Sequence, residues 1–194
     1  MIRDLVLLAA GSGKRFGGDK LLYRVGGVSM IEHACSLYAD IPFHRRILVV
    51  RPEDAPVAEC GRAFGFEILP NPDHERGIGT STAAGARALL QDPVLPDAVL
   101  YAVSDQPYLE RETVGRLMAA WENNPGSICL PVCGGKRGNP VVFPGDLLME
   151  LALLNTDIGG KAVIRQHEER VIPVEPVQPM EMKDIDYCEE ERHE

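Results

Sequence analysis

Between Gly11 and Lys20 the sequence GSGKRFGGDK sets four glycines, two lysines, an arginine and an aspartate in ten residues. Glycines let main-chain N–H groups approach an anion with no Cβ in the way, and Lys14, Arg15 and Lys20 can bring charge to the same oxygens. The chemistry that suits this stretch is phosphate binding. A second position is Asp105, in Ser104-Asp105-Gln106-Pro107. A carboxylate at the carboxyl end of a central parallel strand points into the crevice where α/β sheets bind ligands. A third is the run from Asn71 to Gly85, NPDHERGIGTSTAAG, where Gly77 and Gly79 come before Thr80 and Ser81 at a helix start and offer N–H and O–H groups. Each also has a plainer reading: a glycine-rich strand-to-loop turn, an aspartate capping the next turn, and an ordinary helix cap.

Two common phosphate loops do not fit the opening stretch. A P-loop needs Ser or Thr after its G-K, but Arg15 follows Gly13-Lys14 and Leu8 fills the first glycine position. A dinucleotide fingerprint needs a third glycine where Phe16 stands.

The elements that must position these residues alternate. Leu5 to Ala10 is an apolar run of the kind a strand shows when helices cover both faces of its sheet. A turn at Val25 to Val28 precedes a serine-capped helix over Ser29 to Tyr38. Strands at 46–50, 67–69 and 97–103 are separated by helices at 56–64 and 83–90. Strand-helix alternation predicts a parallel sheet with right-handed crossovers. Further on come a helix at 109–121 with Trp121 on its packing face, a strand at 127–132, a glycine-rich hairpin at 134–140 and a strand at 141–143. Helices at 144–154 and 160–167 flank the turn-like Asn155 to Lys161, and a strand follows at 171–174. The tail from Glu181 to Glu194 is strongly acidic and reads as a solvated or disordered end.

A chain of 194 residues fits one domain. A net charge of −9 argues against a sequence-independent hold on nucleic acid, so no nucleic acid partner is expected. No apolar run approaches the roughly 20 residues of a membrane span. The start of the chain leaves no room for a signal peptide before the first strand, giving a cytoplasmic, membrane-free expectation. The five cysteines, 35, 60, 129, 133 and 188, lack paired C-x-x-C spacing and read as buried reduced thiols. The five histidines have no metal-ligand spacing, and none receives a catalytic role.

Leu8-Ala9-Ala10-Gly11, then Arg15-Phe16-Gly17, then Lys20 resemble L-A-A-G-x-x-x-R-[MF]-G-x-x-K, the signature of small nucleotidyltransferases. The spacing from Gly17 to Lys20, followed by Leu21-Leu22, is most similar to the branch of molybdenum cofactor cytidylyltransferases and their guanylyltransferase relatives. Gly13 stands where the cytidylyl branch usually has Ser. Ser104-Asp105-Gln106-Pro107 resembles [GA]-D-Q-P, and Gly138-Asn139-Pro140 resembles G-N-P. Thr156 to Lys161 resembles G-D-x-G-A-R, and Asp184-Ile185-Asp186 resembles D-I-D-T-P-E-D with Tyr187 and Cys188 replacing Thr and Pro.

The resemblance implies a three-layer α/β/α Rossmann-like nucleotidyltransferase fold with a mostly parallel central sheet. It would be a single domain over 1–194, with a nucleotide-binding half at 1–110 and an acceptor-binding half at 111–194. It implies nucleotide contacts from Leu8, Ala9, Ala10, Gly11, Ser12, Gly13, Arg15, Lys20, Asn71, Gly77, Thr80, Ser81 and Asp105. Arg15, Lys20 and Asp105 would be catalytic. Acceptor contacts would come from Gly138, Asn139, Pro140 and Asp157, and Mg²⁺ would be held by Asp105 and Asp186. The implied reaction moves CMP from CTP, or another NTP, to the terminal phosphate of a molybdenum-bound pterin and releases pyrophosphate. The enzyme would be a monomer handing its product to a molybdoenzyme. Ala10 follows the cytidylyl pattern, where guanylyl relatives tend to have Gly. Three alternatives stay open: a guanylyltransferase, a cytidylyltransferase for another phosphorylated acceptor such as methylerythritol phosphate, and a non-catalytic carrier of the cofactor.

Overall fold

The computed structural model describes residues 1–11, 16 and 19–185 of the chain. In chain order its elements are β1 (Arg3–Ala9), the hairpin β2 (Arg24–Val25) and β3 (Val28–Ser29), α1 (Met30–Ala39), β4 (Arg46–Val50), α2 (Ala55–Ala63), β5 (Glu67–Pro70) and α3 (Ile78–Leu90). There follow β6 (Ala98–Val103), α4 (Arg111–Asn123), β7 (Ile128–Cys133), β8 (Lys136–Arg137), β9 (Val141–Pro144), α5 (Leu148–Ala152), α6 (Lys161–Gln166) and β10 (Val171–Val174). Short 3-10 turns lie between several of them.

The main sheet runs β10-β7-β9-β6-β1-β4-β5, with β8 paired to β7 beside it. Pairings β5–β4, β4–β1, β1–β6 and β7–β10 are parallel, and β9 runs against both β6 and β7. β1 explains the layering. Leu5, Leu7 and Ala9 pack with Ile31 and Tyr38 of α1, Val57 of α2 and Leu117 and Trp121 of α4. Val6 and Ala10 pack with Leu89 of α3, Leu151 of α5 and Ile164 of α6. Covering both faces of a period-2 strand removes any polar side, and each fully buried Leu or Val adds about 1.5–3 kcal/mol. The result is a three-layer α/β/α fold with a mostly parallel sheet.

The strand order reverses at β1. The chain passes from β1 outward to β4 and β5, then α3 carries it back to β6 on the other side of β1. Ligand crevices in open α/β sheets form at such a reversal, outside the carboxyl ends of the strands.

Local signals explain most boundaries. Ser29 and Glu32 form a reciprocal capping box at the start of α1, Oγ accepting from the Glu32 N–H at 3.3 Å and the carboxylate accepting from the Ser29 N–H at 3.0 Å. Gly26 and Gly27, both at positive φ, make the β2–β3 turn.

Three expectations are corrected. α3 begins at Ile78, not near Ala83, so Thr80 and Ser81 lie inside its first turn. Thr80 and Thr82 turn their hydroxyls back onto the carbonyls of Gly77 and Ile78, at 2.9 and 3.1 Å, which lets them sit within the helix. The helix expected at 144–154 has its regular part only at Leu148–Ala152. The acidic tail is not solvated throughout: Glu181 is buried, and its carboxylate accepts from the backbone N–H of Glu110 at 3.0 Å and of Gln178 at 2.7 Å.

α3 approaches its neighbours through glycine. A Cβ on Gly79 would lie 2.1 Å from the Thr156 carbonyl oxygen, and one on Gly77, at φ +109°, would lie 2.7 Å from the Asp157 Cα. These two positions let Thr156 and Asp157 close onto the start of the helix, where the Gly79 N–H donates to Thr156 O at 3.0 Å. Gly79→Ala must push backbone against backbone. The expected cost is about 1–3 kcal/mol, read as a lowered denaturant midpoint.

At the far end of the sheet the buried Asp4 accepts from the Arg45 N–H at 2.8 Å and faces His44 Nδ1 at 3.3 Å, while its Oδ2 finds no partner among the described residues. Burial pushes its carboxyl pKa up, against the lowering effect of the Arg45 and His44 bonds. A raised carboxyl pKa means that the folded chain holds a proton the unfolded chain has released. The contribution therefore favours folding below the unfolded value and is lost as pH rises through the folded one. Asp4→Asn keeps the acceptor for Arg45 without the buried charge. On denaturant melts, wild type should gain stability over this variant as pH falls from 7 toward the ordinary carboxyl value of 3.8. Asp4→Ala, which orphans the Arg45 N–H, should cost about 1–3 kcal/mol at pH 7.

Candidate active site

The crevice opens where β1 and β6 end side by side. Leu8 pairs with Val103 in the ladder, and one residue later Ser104 clasps the two strands: its N–H and its hydroxyl both donate to Leu8 O, at 3.2 and 2.5 Å. That clasp sets Ala9, Ala10 and Gly11 on one side and Asp105 on the other.

Lys20 reaches across. Its 3-10 turn, Lys20–Leu22, starts after Asp19, whose carbonyl accepts from the Leu22 N–H at 2.9 Å. From there the ammonium donates to Asp105 Oδ2 at 2.7 Å, with the two side chains 14% and 27% exposed. Phe16 meets Tyr23 edge-on, ring centroids 5.2 Å apart.

The cavity measures about 780 Å³, a size suited to a nucleotide or a molecule of similar bulk. Leu8, Ala9, Ala10, Gly11, Lys20, Gly77, Ser81, Asp105 and Asp157 all stand in its walls. Asp157 thus shares a wall with Gly77, and among the described residues every other lining residue comes from the first 105 positions. Asn71 and Thr80 stand behind this wall. The Asn71 amide donates to Thr80 Oγ1 and Ser81 Oγ, both at 3.0 Å, and its oxygen accepts from the Asp73 N–H at 3.0 Å. The first two bonds brace the first turn of α3, and the third closes a turn in the loop that leads to it. Gly138, Asn139 and Pro140 lie outside the crevice, between β8 and β9, where a Cβ on Gly138 would meet Met182 Cε at 2.3 Å. Ser12, Gly13, Arg15 and Asp186 lie outside the described residues. The chain arrives next to the crevice just before Asp186, because the Ile185 N–H donates to Asp105 O at 3.3 Å.

Sequence reasoning passed over Arg51 and His74, which also line the cavity. Arg51 follows the last residue of β4, and its guanidinium donates to the buried Asp54 carboxylate, Nη2 at 2.6 Å and Nε at 3.1 Å, with Asp19 at 3.6 Å. The Asp54 hydrogen bonds push its pKa further up, so it stays charged. A signal existed: any side chain just past the carboxyl end of a strand beside β1 faces the crevice. The segment of His74, Glu75 and Arg76 is a single 3-10 turn that apolar periodicity does not report.

As a metal site the crevice offers hard oxygen. Among the described residues no group of three or more His, Cys, Asp or Glu side chains is arranged around a common point. A divalent cation here would take Asp105 and complete its shell with phosphate oxygens and water, a donor set that a small hard cation accepts. No helix among the described residues is long and apolar enough to cross a membrane.

Comparisons with known proteins agree with this architecture. The chain is 31% identical over 170 residues to nicotine blue oxidoreductase of Paenarthrobacter nicotinovorans, covering 83% of this chain and 80% of that protein. It is 34% identical over 147 residues to a molybdenum cofactor guanylyltransferase of a Shewanella species, covering 72% of this chain and 66% of that protein. It matches the bifunctional protein GlmU of Mycolicibacterium vanbaalenii at 33% over 123 residues, 60% of this chain but only 25% of that longer protein. Among solved structures, a Methanothermobacter nucleotidyl transferase superposes with a TM-score of 0.80 at 23% identity, covering 96% of this chain and 92% of that one. A manganese complex of Rv0371c from Mycobacterium tuberculosis superposes with a TM-score of 0.71 at 19% identity, covering 95% and 94%. At such identities the superpositions establish the fold. Residues 5–171 match the family model of the MobA-like NTP transferase domain, and the chain belongs to that nucleotidyltransferase family.

Proposed function

We propose that this enzyme transfers CMP from CTP to the terminal phosphate of a molybdenum-bound pterin, as a cytoplasmic monomer whose product passes to a molybdoenzyme. The observation that carries the reading is Lys20 and Asp105 facing each other at 2.7 Å in a nucleotide-sized crevice at the reversal of strand order. Residues 1–110 would hold the nucleotide, in keeping with the origin of nearly all the lining side chains, and 111–194 the acceptor, with Gly138, Asn139, Pro140 and Asp157 as candidate contacts.

The acceptor phosphate oxygen attacks the α-phosphorus in line. A new P–O bond forms as the bridge to the β-phosphate breaks, and pyrophosphate leaves with the electron pair. No covalent enzyme intermediate is needed, because the nucleophile is already anionic at neutral pH. The obstacle is repulsion between two phosphates, so catalysis is positioning plus charge neutralisation. Lys20, with Arg15 and the main-chain amides around Gly11, would hold the triphosphate. Asn71 and Thr80 would act by keeping the first turn of α3, with Ser81 and Gly77, against the nucleoside. A divalent cation, Mg²⁺ in this reading, would lower the charge between the phosphates, with Asp105 and Asp186 as its protein ligands. The manganese complex of the Mycobacterium protein supports a divalent ion in this fold.

The guanylyl version is the second reading, favoured by the Shewanella relative, whose name specifies guanylyl transfer. Pyrophosphate release with CTP, GTP and ATP in turn, with and without molybdenum-bound pterin, tests both. Release that requires the pterin and CTP is the expected result, and preference for GTP would move the assignment to the second reading. No pyrophosphate from any nucleotide would overturn nucleotidyl transfer and direct attention to the redox chemistry in the name of the Paenarthrobacter relative. Lys20→Ala and Asp105→Ala should each lower kcat by about 10²–10³-fold while each variant still unfolds in a single cooperative thermal transition. Retention of most activity in either would remove the role assigned to it.

A further inference from the structure

Two thiols meet where α1 packs on α2. Cys35 on α1 is fully buried and Cys60 on α2 half-buried, both against the same apolar cluster, and both are free. They are near enough to act on each other's ionisation. Burial pushes the Cys35 pKa well up, and Cys60 beside it adds to the push. Burial and the Glu32 carboxylate also raise that of Cys60, but there the Cys35 thiol, hydrogen-bonding to it, pulls the other way. Within the pair, Cys60 is the sulfur that ionises first.

Access is unequal in the same sense. Cys60 stands in the wall of a cavity of about 420 Å³ at the α1–α2 corner, while Cys35 has no exposed surface. Leu22, Ile31 and Phe64 give that cavity apolar walls, and Arg24 and Glu32 add polar groups. Such a lining suits a small organic molecule with a short carbon chain and polar ends.

We infer that Cys60 and Cys35 form a disulfide-exchange site, in which Cys60 receives a low-molecular-weight organic disulfide from this cavity and Cys35 resolves it into a cross-link between α1 and α2. In the first step the Cys60 thiolate attacks one sulfur of R–S–S–R. That S–S bond breaks, a mixed disulfide Cys60–S–S–R forms, and RS⁻ leaves with the electron pair and takes up the proton Cys60 released. In the second, Cys35 gives up its proton and attacks Cys60 Sγ. The mixed disulfide breaks, the Cys35–Cys60 bond forms, and the second RS⁻ leaves and takes that proton. Two protein thiols are oxidised and one small disulfide is reduced to two thiols, with no other oxidant. The raised pKa values set the tempo. Scarce thiolate at neutral pH makes entry slow, and a thiol pair that gains nothing by ionising makes the finished cross-link resist reduction.

The test incubates the full reduced chain, freed of reductant, with hydroxyethyl disulfide, alkylates the remaining thiols and maps them by mass spectrometry after proteolysis. Wild type should yield the Cys35–Cys60 cross-link with no adduct left on Cys60. Cys35→Ala should stop at the mixed disulfide on Cys60, and Cys60→Ser should leave Cys35 unmodified over the time in which wild type reacts. Cys35→Val and Cys60→Ala replace either variant if it does not melt as a native chain. The cross-linked chain should melt about 5–10 °C above the reduced one, the effect of closing a chain loop of this length. An adduct retained on Cys60 in wild type, or Cys35 reacting as readily in Cys60→Ser as in wild type, overturns the inference. A cross-linked chain that melts below the reduced one does so too, since the sulfurs would have been forced together, and so does the absence of reaction at both thiols. None of these readouts depends on nucleotidyl transfer.

Discussion

The constraint on which the structure depends is the adjacency of β1 and β6, two parallel strands whose onward connections leave in opposite directions. The crossovers that begin at their shared carboxyl end diverge, and among the described residues a crevice opens there. The Ser104 clasp on Leu8 keeps the two ends in step. With the ladder in that register, two residues past β6 is a carboxylate, and the loop after β1 returns a lysine to it across the gap. Slipping β6 by one residue would turn Asp105 to the other face of the sheet, so the apolar alternation that buries Leu100 and Ala102 on one side and Val99 and Tyr101 on the other also aims the site.

The second wall depends on how closely backbones can approach. α3 lies over β1 with Gly85 against Val6, where an added Cβ would stand 2.5 Å from the valine Cγ1, and its first turn meets Thr156 and Asp157 through Gly77 and Gly79. A chain segment from the second half of the sequence is thereby brought into a crevice whose other described lining residues come from the first. The buried Glu181 does comparable work near α4, where its carboxylate ties the 178–181 turn to the start of the helix and leads the chain to Ile185, hydrogen-bonded to Asp105.

The sheet was readable because its signal is local and strong. Runs such as Ile47–Val50 and Ala98–Val103 are apolar throughout, as strands covered on both faces must be, and Ser29 with Glu32 announces the start of α1. The ends of helices rich in Gly and Thr were less legible. α3 begins five residues before its apolar periodicity does, since the hydroxyls of Thr80 and Thr82 are satisfied by their own helix and Gly79 is required by a neighbour distant in sequence. Glu181 misled for a similar reason: a carboxylate among acidic residues reads as solvated unless the backbone amides it will cap are known. In the site, Lys20 and Asp105 were legible as chemistry but their meeting was not, and Arg51 resembled a strand terminator because composition does not reveal that β4 lies next to β1.

The brace at Asn71 has one more property. Its side-chain amide supports Thr80, Ser81 and the Asp73 N–H together, a task its deamidated form could not perform, since an aspartate has no amide hydrogens to give the two hydroxyls. Asparagine ages chiefly when the main-chain nitrogen of the following residue closes a ring onto its side chain. Here that nitrogen belongs to Pro72 and carries no hydrogen. The crevice wall is thus supported by an asparagine shielded from spontaneous chemical decay by its own neighbour.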